Sequence, residues 1–143
     1  MGNLVQQFDL QVKTQIEDLD LVIDWFSQFD RPPVPHWVWL ECQLALAEGF
    51  TNAVRHAHRH RDPETPIFIS VRISEVNLQL HVWDQGDPFD LLGALQGLPD
   101  VFDAEQEGGR GLLLLRKIAT QLSYSRDAEG RNCLMVDKSF VRG

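Results

Sequence analysis

Within LALAEGFTNAVRHAH, residues 44 to 58, Glu48, Asn52 and His56 recur every fourth residue. That interval sets side chains in one stripe down an α-helix. Such a stripe is either a solvated face or the polar wall of a cavity, and its spacing alone does not choose between them. Asp84 is a second polar oddity. It ends VNLQLHVWD, where Leu78, Leu80 and Val82 alternate toward one side of a strand and Asp84 continues the same column. A carboxylate in an apolar column is costly to bury without donors. A backbone amide, an arginine or the exocyclic amine of a ligand would each satisfy it. The third feature is EGGRGL, residues 107 to 112. Gly108, Gly109 and Gly111 permit close backbone approach, and the free N–H groups of a helix start favour an anionic phosphate.

These residues need elements to hold them. Phe8, Leu10 and Val12 share one period-2 register with Leu4, which predicts a half-buried first strand. Ile16, Leu19, Val22, Ile23 and Phe26 are spaced for one face of a helix that DRPPVP at 30 to 35 stops. A second helix is expected from about Trp37 to His60, with Leu40, Leu44, Ala47, Phe50 and Val54 as its core side. Ile67, Ile69, Val71 and Ile73 then mark a strand, and a turn near Glu75 returns the chain through Leu78 to Asp84. Gln85 to Gly109 reads as a long loop. Connections beyond roughly 12 to 15 residues without their own structure are usually lids, binding loops or disordered segments. GRGLLLLRKIATQL predicts a third, largely buried helix, and LSYSRD, AEGR and NCLMVDKSF a terminal hairpin. The order β α α β β, loop, α β β predicts an α/β fold. It is a two-layer α/β sandwich, a mostly antiparallel sheet with helices on one face.

The 143 residues are about one domain, with 43% apolar and 24% charged positions. No run approaches the roughly 20 apolar residues that cross a bilayer, and the opening MGNLVQQ shows no targeting signal, so a soluble cytoplasmic protein is expected. Cys42 and Cys133 stand apart, without the spacing of a disulfide framework or zinc knuckle. A net charge of −8 disfavours nucleic acid as a partner and points to a protein or small ligand. His56, His58 and His60 lack a Cys, Asp or Glu that would complete a zinc site, and a role at the helix C-terminus is expected for them.

Taken in order, EGFTNAVRHA resembles the N box, DQGDPFD the first glycine box and GGRGL the second glycine box of the GHKL ATPase superfamily. Within it the chain resembles the anti-sigma-factor serine/threonine kinases of the RsbW type, with Phe89 and Asp90 fitting their compact first glycine box. The resemblance implies a single GHKL-type ATP-binding kinase domain over 1–143, of the Bergerat type, using ATP and Mg²⁺. It implies that Asn52 ligates Mg²⁺ and that Glu48 is the catalytic base toward a serine hydroxyl. Asp84 would accept from the adenine amino group while Gly86 lets the chain pass close to the ring. Gly109 and Gly111 would give amides to the phosphates, and Arg110 would offset charge developing there. Where the family usually has a Thr near the adenine and its bound water, this chain has Asn132, whose amide can also donate and accept.

The implied partners are a sigma factor and an anti-anti-sigma protein of the STAS type, with no direct nucleic acid and no membrane; the family is often homodimeric. The alternative is a nucleotide-binding switch that regulates partners without phosphotransfer. A non-nucleotide module with a decayed pocket is disfavoured by Glu48, Asn52, Asp84 and the glycines. The loop acids Asp100, Asp103, Glu105 and Glu107 are expected to point outward.

Overall fold

The computed structural model describes residues 5–57, 61–86 and 110–140. Strand β1 (Gln6–Lys13) leads into helices α1 (Leu19–Phe26) and α2 (His36–Asn52). Strands β2 (Pro66–Ile73) and β3 (Asn77–Asp84) follow, then helix α3 (Arg110–Ile118) and strands β4 (Gln121–Arg126) and β5 (Asn132–Ser139). This is the expected element order. The five strands form one sheet in the order β1-β2-β3-β5-β4, and every neighbouring pair is antiparallel.

The period-2 columns lie where alternation places them. Ile67, Ile69, Val71 and Ile73 on β2 and Leu78, Leu80 and Val82 on β3 are all buried. Leu134 and Val136 extend this apolar floor across β5. Helix α2 covers it through Val38, Trp39, Cys42, Ala45, Leu46 and Phe50. Trp39 stacks on Phe26 of α1 with ring centroids 5.7 Å apart and donates its indole N–H to the Phe26 carbonyl at 3.0 Å. The stack therefore fixes α1 against α2 with both an apolar and a polar contact.

The core side of α2 matches the sequence expectation at Phe50, which is buried, and at Val54, which packs on the core, and differs from it nearer the N-terminus. Leu40 and Leu44 are 44% and 51% exposed, and Trp37 beside them is 51% exposed. The reason is Gly49. A Cβ built there would stand 3.2 Å from Leu134 Cδ2 and 3.3 Å from Val82 Cγ2, so α2 touches the sheet at its glycine. At about 100° per residue, Leu44 lies roughly 140° and Leu40 roughly 180° around the helix from Gly49. Both are carried to the solvent side. Beyond Asn52 the backbone widens into a π turn over Ala53–Ala57, so the α-helical period that joined Glu48 to Asn52 does not extend to His56.

Helix α3 is shorter than expected. It ends at Ile118, and Gln121 and Leu122 already belong to β4. Lys138 of β5 donates to the Ile118 carbonyl at 2.9 Å and pairs with Glu41 of α2 at 2.8 Å, closing the helix end with a cation. Leu113 and Leu115, on opposite sides of α3, are both buried, as is Ile118, while Lys117 is exposed, so the helix is covered on more than one face. The β4–β5 turn depends on Gly130 at φ 81° and on Asp127, whose carboxylate accepts from the Glu129 and Arg131 backbone amides. Bonding from the Arg131 amide, chiefly, holds the Asp127 carboxyl below its ordinary value. On the opposite side of the sheet, His81 stacks on Trp83 with centroids 5.2 Å apart. Among the described residues no helix is long and apolar enough to cross a membrane.

Candidate functional site

The site lies where α2 crosses the ends of β3, β4 and β5. Gly49, Asn52 and Ala53 of the helix side face Val82 and Asp84 of β3, Tyr124 of β4 and Leu134 of β5. Together they line a pocket with about 300 Å³ of empty space, including its open mouth. Most of the lining is apolar, and the polar atoms come from few residues.

Asp84 is the principal one. It is buried, as its register predicts, and its Oδ1 accepts from the Gly86 backbone N–H at 3.0 Å and from Asn132 Nδ2 at 2.8 Å. Asn132 stands directly across from Asp84 on β5, and Arg126 stands directly across from Asn132 on β4. The three side chains form one rung over three strands. Asn132 is fully buried; its Nδ2 also donates to the Gly86 carbonyl at 2.8 Å, and its Oδ1 accepts from Arg126 Nη1 at 3.2 Å. The structural answer to a buried carboxylate is thus present, and one carboxylate oxygen, Oδ2, lies outside these bonds.

Glu48 and Asn52 lie one turn apart on α2, Asn52 in the pocket lining and Glu48 beside the start of α3. Gly111 touches the Glu48 carboxyl group: an added Cβ would collide with Oε2 and stand 2.9 Å from Cδ. The helix start read as phosphate-binding is therefore in contact with the candidate base. Arg110 begins α3. Gly109, the loop acids, and Phe89 and Asp90 lie outside the described residues.

Gly49, Tyr124, Leu134 and Arg126 were not singled out from the sequence. Gly49 sits inside EGFTN, where a glycine in mid-helix signals close approach. The other three depend on β5 lying between β3 and β4, an order with no local signature.

A family model described as a histidine kinase-like ATPase domain matches residues 12–138. The chain belongs to this family. It is also similar to proteins named serine-protein kinase RsbW. That of Bacillus licheniformis is 31% identical over 93 residues, which cover 62% of this chain and 58% of the relative. Those of Staphylococcus aureus and Staphylococcus epidermidis are 26% identical over the same shares. The matched region spans less than two thirds of these relatives' length. As a histidine kinase-like ATPase domain, the chain has a pocket whose donor set can be weighed against a nucleotide. A carboxylate oxygen outside the internal bonds suits an exocyclic amine. Among the described residues no group of three or more His, Cys, Asp or Glu side chains could hold a metal by itself. Asn52 could supply one oxygen to an ion that brings waters and phosphate oxygens, the usual habit of Mg²⁺.

Proposed function

We propose that the chain is an ATP-dependent protein-serine kinase that acts as an anti-sigma factor and phosphorylates an anti-anti-sigma antagonist of the STAS type. The observation that carries this reading is the contact of Glu48 with Gly111, one helical turn from Asn52 at the pocket wall. A site that only held a nucleotide would have no need of a carboxylate at that place. The similarity to proteins named serine-protein kinase supports the same reading.

Asp84 and Gly86 receive the adenine, Asn52 ligates Mg²⁺, and Gly109, Arg110 and Gly111 hold the phosphates. ATP supplies the phosphoryl group. Glu48 accepts the proton of the acceptor serine as its oxygen bonds to the γ-phosphorus and the bond to the leaving ADP oxygen breaks. Positioning and charge compensation supply most of the remaining rate.

Incubation with labelled ATP, Mg²⁺ and candidate STAS-type antagonists, followed by phosphoamino-acid analysis, tests the proposal. Labelled phosphoserine in an antagonist is the expected outcome. Nucleotide binding without any phosphoserine would instead favour a switch that regulates partners without phosphotransfer.

A further inference from the structure

The face of the sheet turned away from the helices gathers three soft donors. His81 of β3 and Met135 of β5 stand directly across from each other, and Cys133 lies two residues from Met135 on the same face. Side chains so opposed have Cβ atoms about 4.5 to 5.5 Å apart, which brings the thioether into the cluster. Cys133 Sγ is 3.6 Å from His81 Nδ1, and His81 Nε2 is 3.5 Å from Gln79 Oε1. A carbonyl oxygen beside Nε2 favours the tautomer with its hydrogen there, which leaves the Nδ1 lone pair toward the sulfur. Metal-ligating histidines are oriented in the same way. All three donor residues are half-buried, so the cluster is sheltered and still open to solvent.

The spacing suits an ion as well as a proton. With bonds of about 2.3 Å to sulfur and about 2.0 to 2.1 Å to nitrogen, the lengths Zn²⁺ takes, the S–N separation of 3.6 Å gives an angle of about 110° at the ion. Neither ligand atom has to move. The third donor chooses the ion, because a thioether beside a thiolate and an imidazole suits Cu(I), whereas zinc sites are built from thiolate, imidazole and carboxylate.

We propose that His81, Cys133 and Met135 form a Cu(I) site on the outer face of the sheet. On binding, the Cys133 S–H bond breaks and the S–Cu bond forms; the proton leaves to solvent and the copper stays Cu(I). Strand alternation sends Asp84 and Asn132 to the other face, so the site is separate from the candidate nucleotide pocket and does not depend on the nucleotide reading.

The test is anaerobic titration with Cu(I) buffered by bicinchoninate, on the wild type, Cys133→Ser, His81→Phe, Met135→Leu and Cys42→Ala. The wild type should show a thiolate-to-copper charge-transfer band in the ultraviolet. Cys133→Ser should lose the band, and it and His81→Phe should each lower the affinity by about 10²-fold or more, since losing a mere neighbour of a ligand already costs about 10- to 100-fold. Met135→Leu should cost about 10-fold, the scale of a weaker third donor. Leucine keeps the volume of Met135, so this variant holds the test open if Cys133→Ser does not fold. Cys42→Ala should leave both band and affinity alone, because Cys42 is fully buried in the core. A wild type without the band, or an unchanged affinity in Met135→Leu or His81→Phe, would overturn the proposal. Copper held as tightly by Cys133→Ser would overturn it too and move the ion to the histidines at 56, 58 and 60.

Discussion

Gly111 in the first turn of α3 leaves room for the Glu48 carboxyl group: a Cβ there would collide with Oε2 and approach Cδ to 2.9 Å. The obstructed atoms are the far end of a flexible side chain. Gly111→Ala should therefore displace Glu48 while sparing the backbone, and alanine is the better helix former by about 1 kcal/mol. Thermal melting should show an unchanged or slightly raised midpoint while phosphotransfer falls by about 10²-fold, the scale of a lost general base. A lower midpoint with normal transfer would mean that α3, not Glu48, gives way.

Glu48→Ala should separate binding from turnover. Nucleotide affinity should be retained, and the single-turnover rate to a serine acceptor should fall by roughly 10²-fold or more. Full activity would remove the base role.

Gly49→Val should act on the fold. A Cβ at this position would by itself stand 3.2 to 3.3 Å from Leu134 and Val82, both of them buried, and the further methyls of valine would press closer. Overpacking of this kind typically costs about 1 to 3 kcal/mol. Chemical denaturation should show that loss, and nucleotide affinity should drop because the same residues line the pocket.

Cys42 contributes to the alkaline limit of stability, and Cys133, raised to about 11 by burial, acts in the same direction. Burial raises the Cys42 thiol from 9.0 to about 12, while Lys138 nearby acts in the opposite direction. The folded thiol keeps its proton where the unfolded one has lost it. Its contribution is therefore full below pH 9 and is lost as pH rises toward about 12. Stability measured across that window should fall less steeply in Cys42→Ala than in the wild type, and an identical slope would assign the alkaline loss to other groups.

Much of the sheet was legible because alternation is local: Ile67 to Ile73 and Leu78 to Asp84 carry their facing in their own spacing, and Asp84 is buried as that spacing requires. The facing of α2 nearer its N-terminus was not legible. Leu40 and Leu44 fit an apolar stripe as well as the true core residues do, and the choice was made by Gly49 meeting β3 and β5, elements far along the chain. The end of α3 was misplaced for a similar reason. Gln121 and Leu122 suit a helix locally, yet they pair with Asp137 and Val136. Arg126 escaped notice because its partner, Asn132, becomes significant only when β5 lies between β3 and β4.

That strand order sets a timetable for synthesis. β3 is complete at Asp84, but its neighbour β5 does not begin until Asn132. A ribosome adding about 5 to 20 residues per second needs about 2 to 10 s to make the intervening segment. Throughout that interval β3 offers an unpaired edge beside β2 and β1, and Asp84 lacks its cross-strand partner Asn132. The nascent chain is thus exposed to mispairing at the strand that carries its most polar buried residue, and a ribosome-bound holdase that shields this edge would raise the yield of active protein more than one acting on β1.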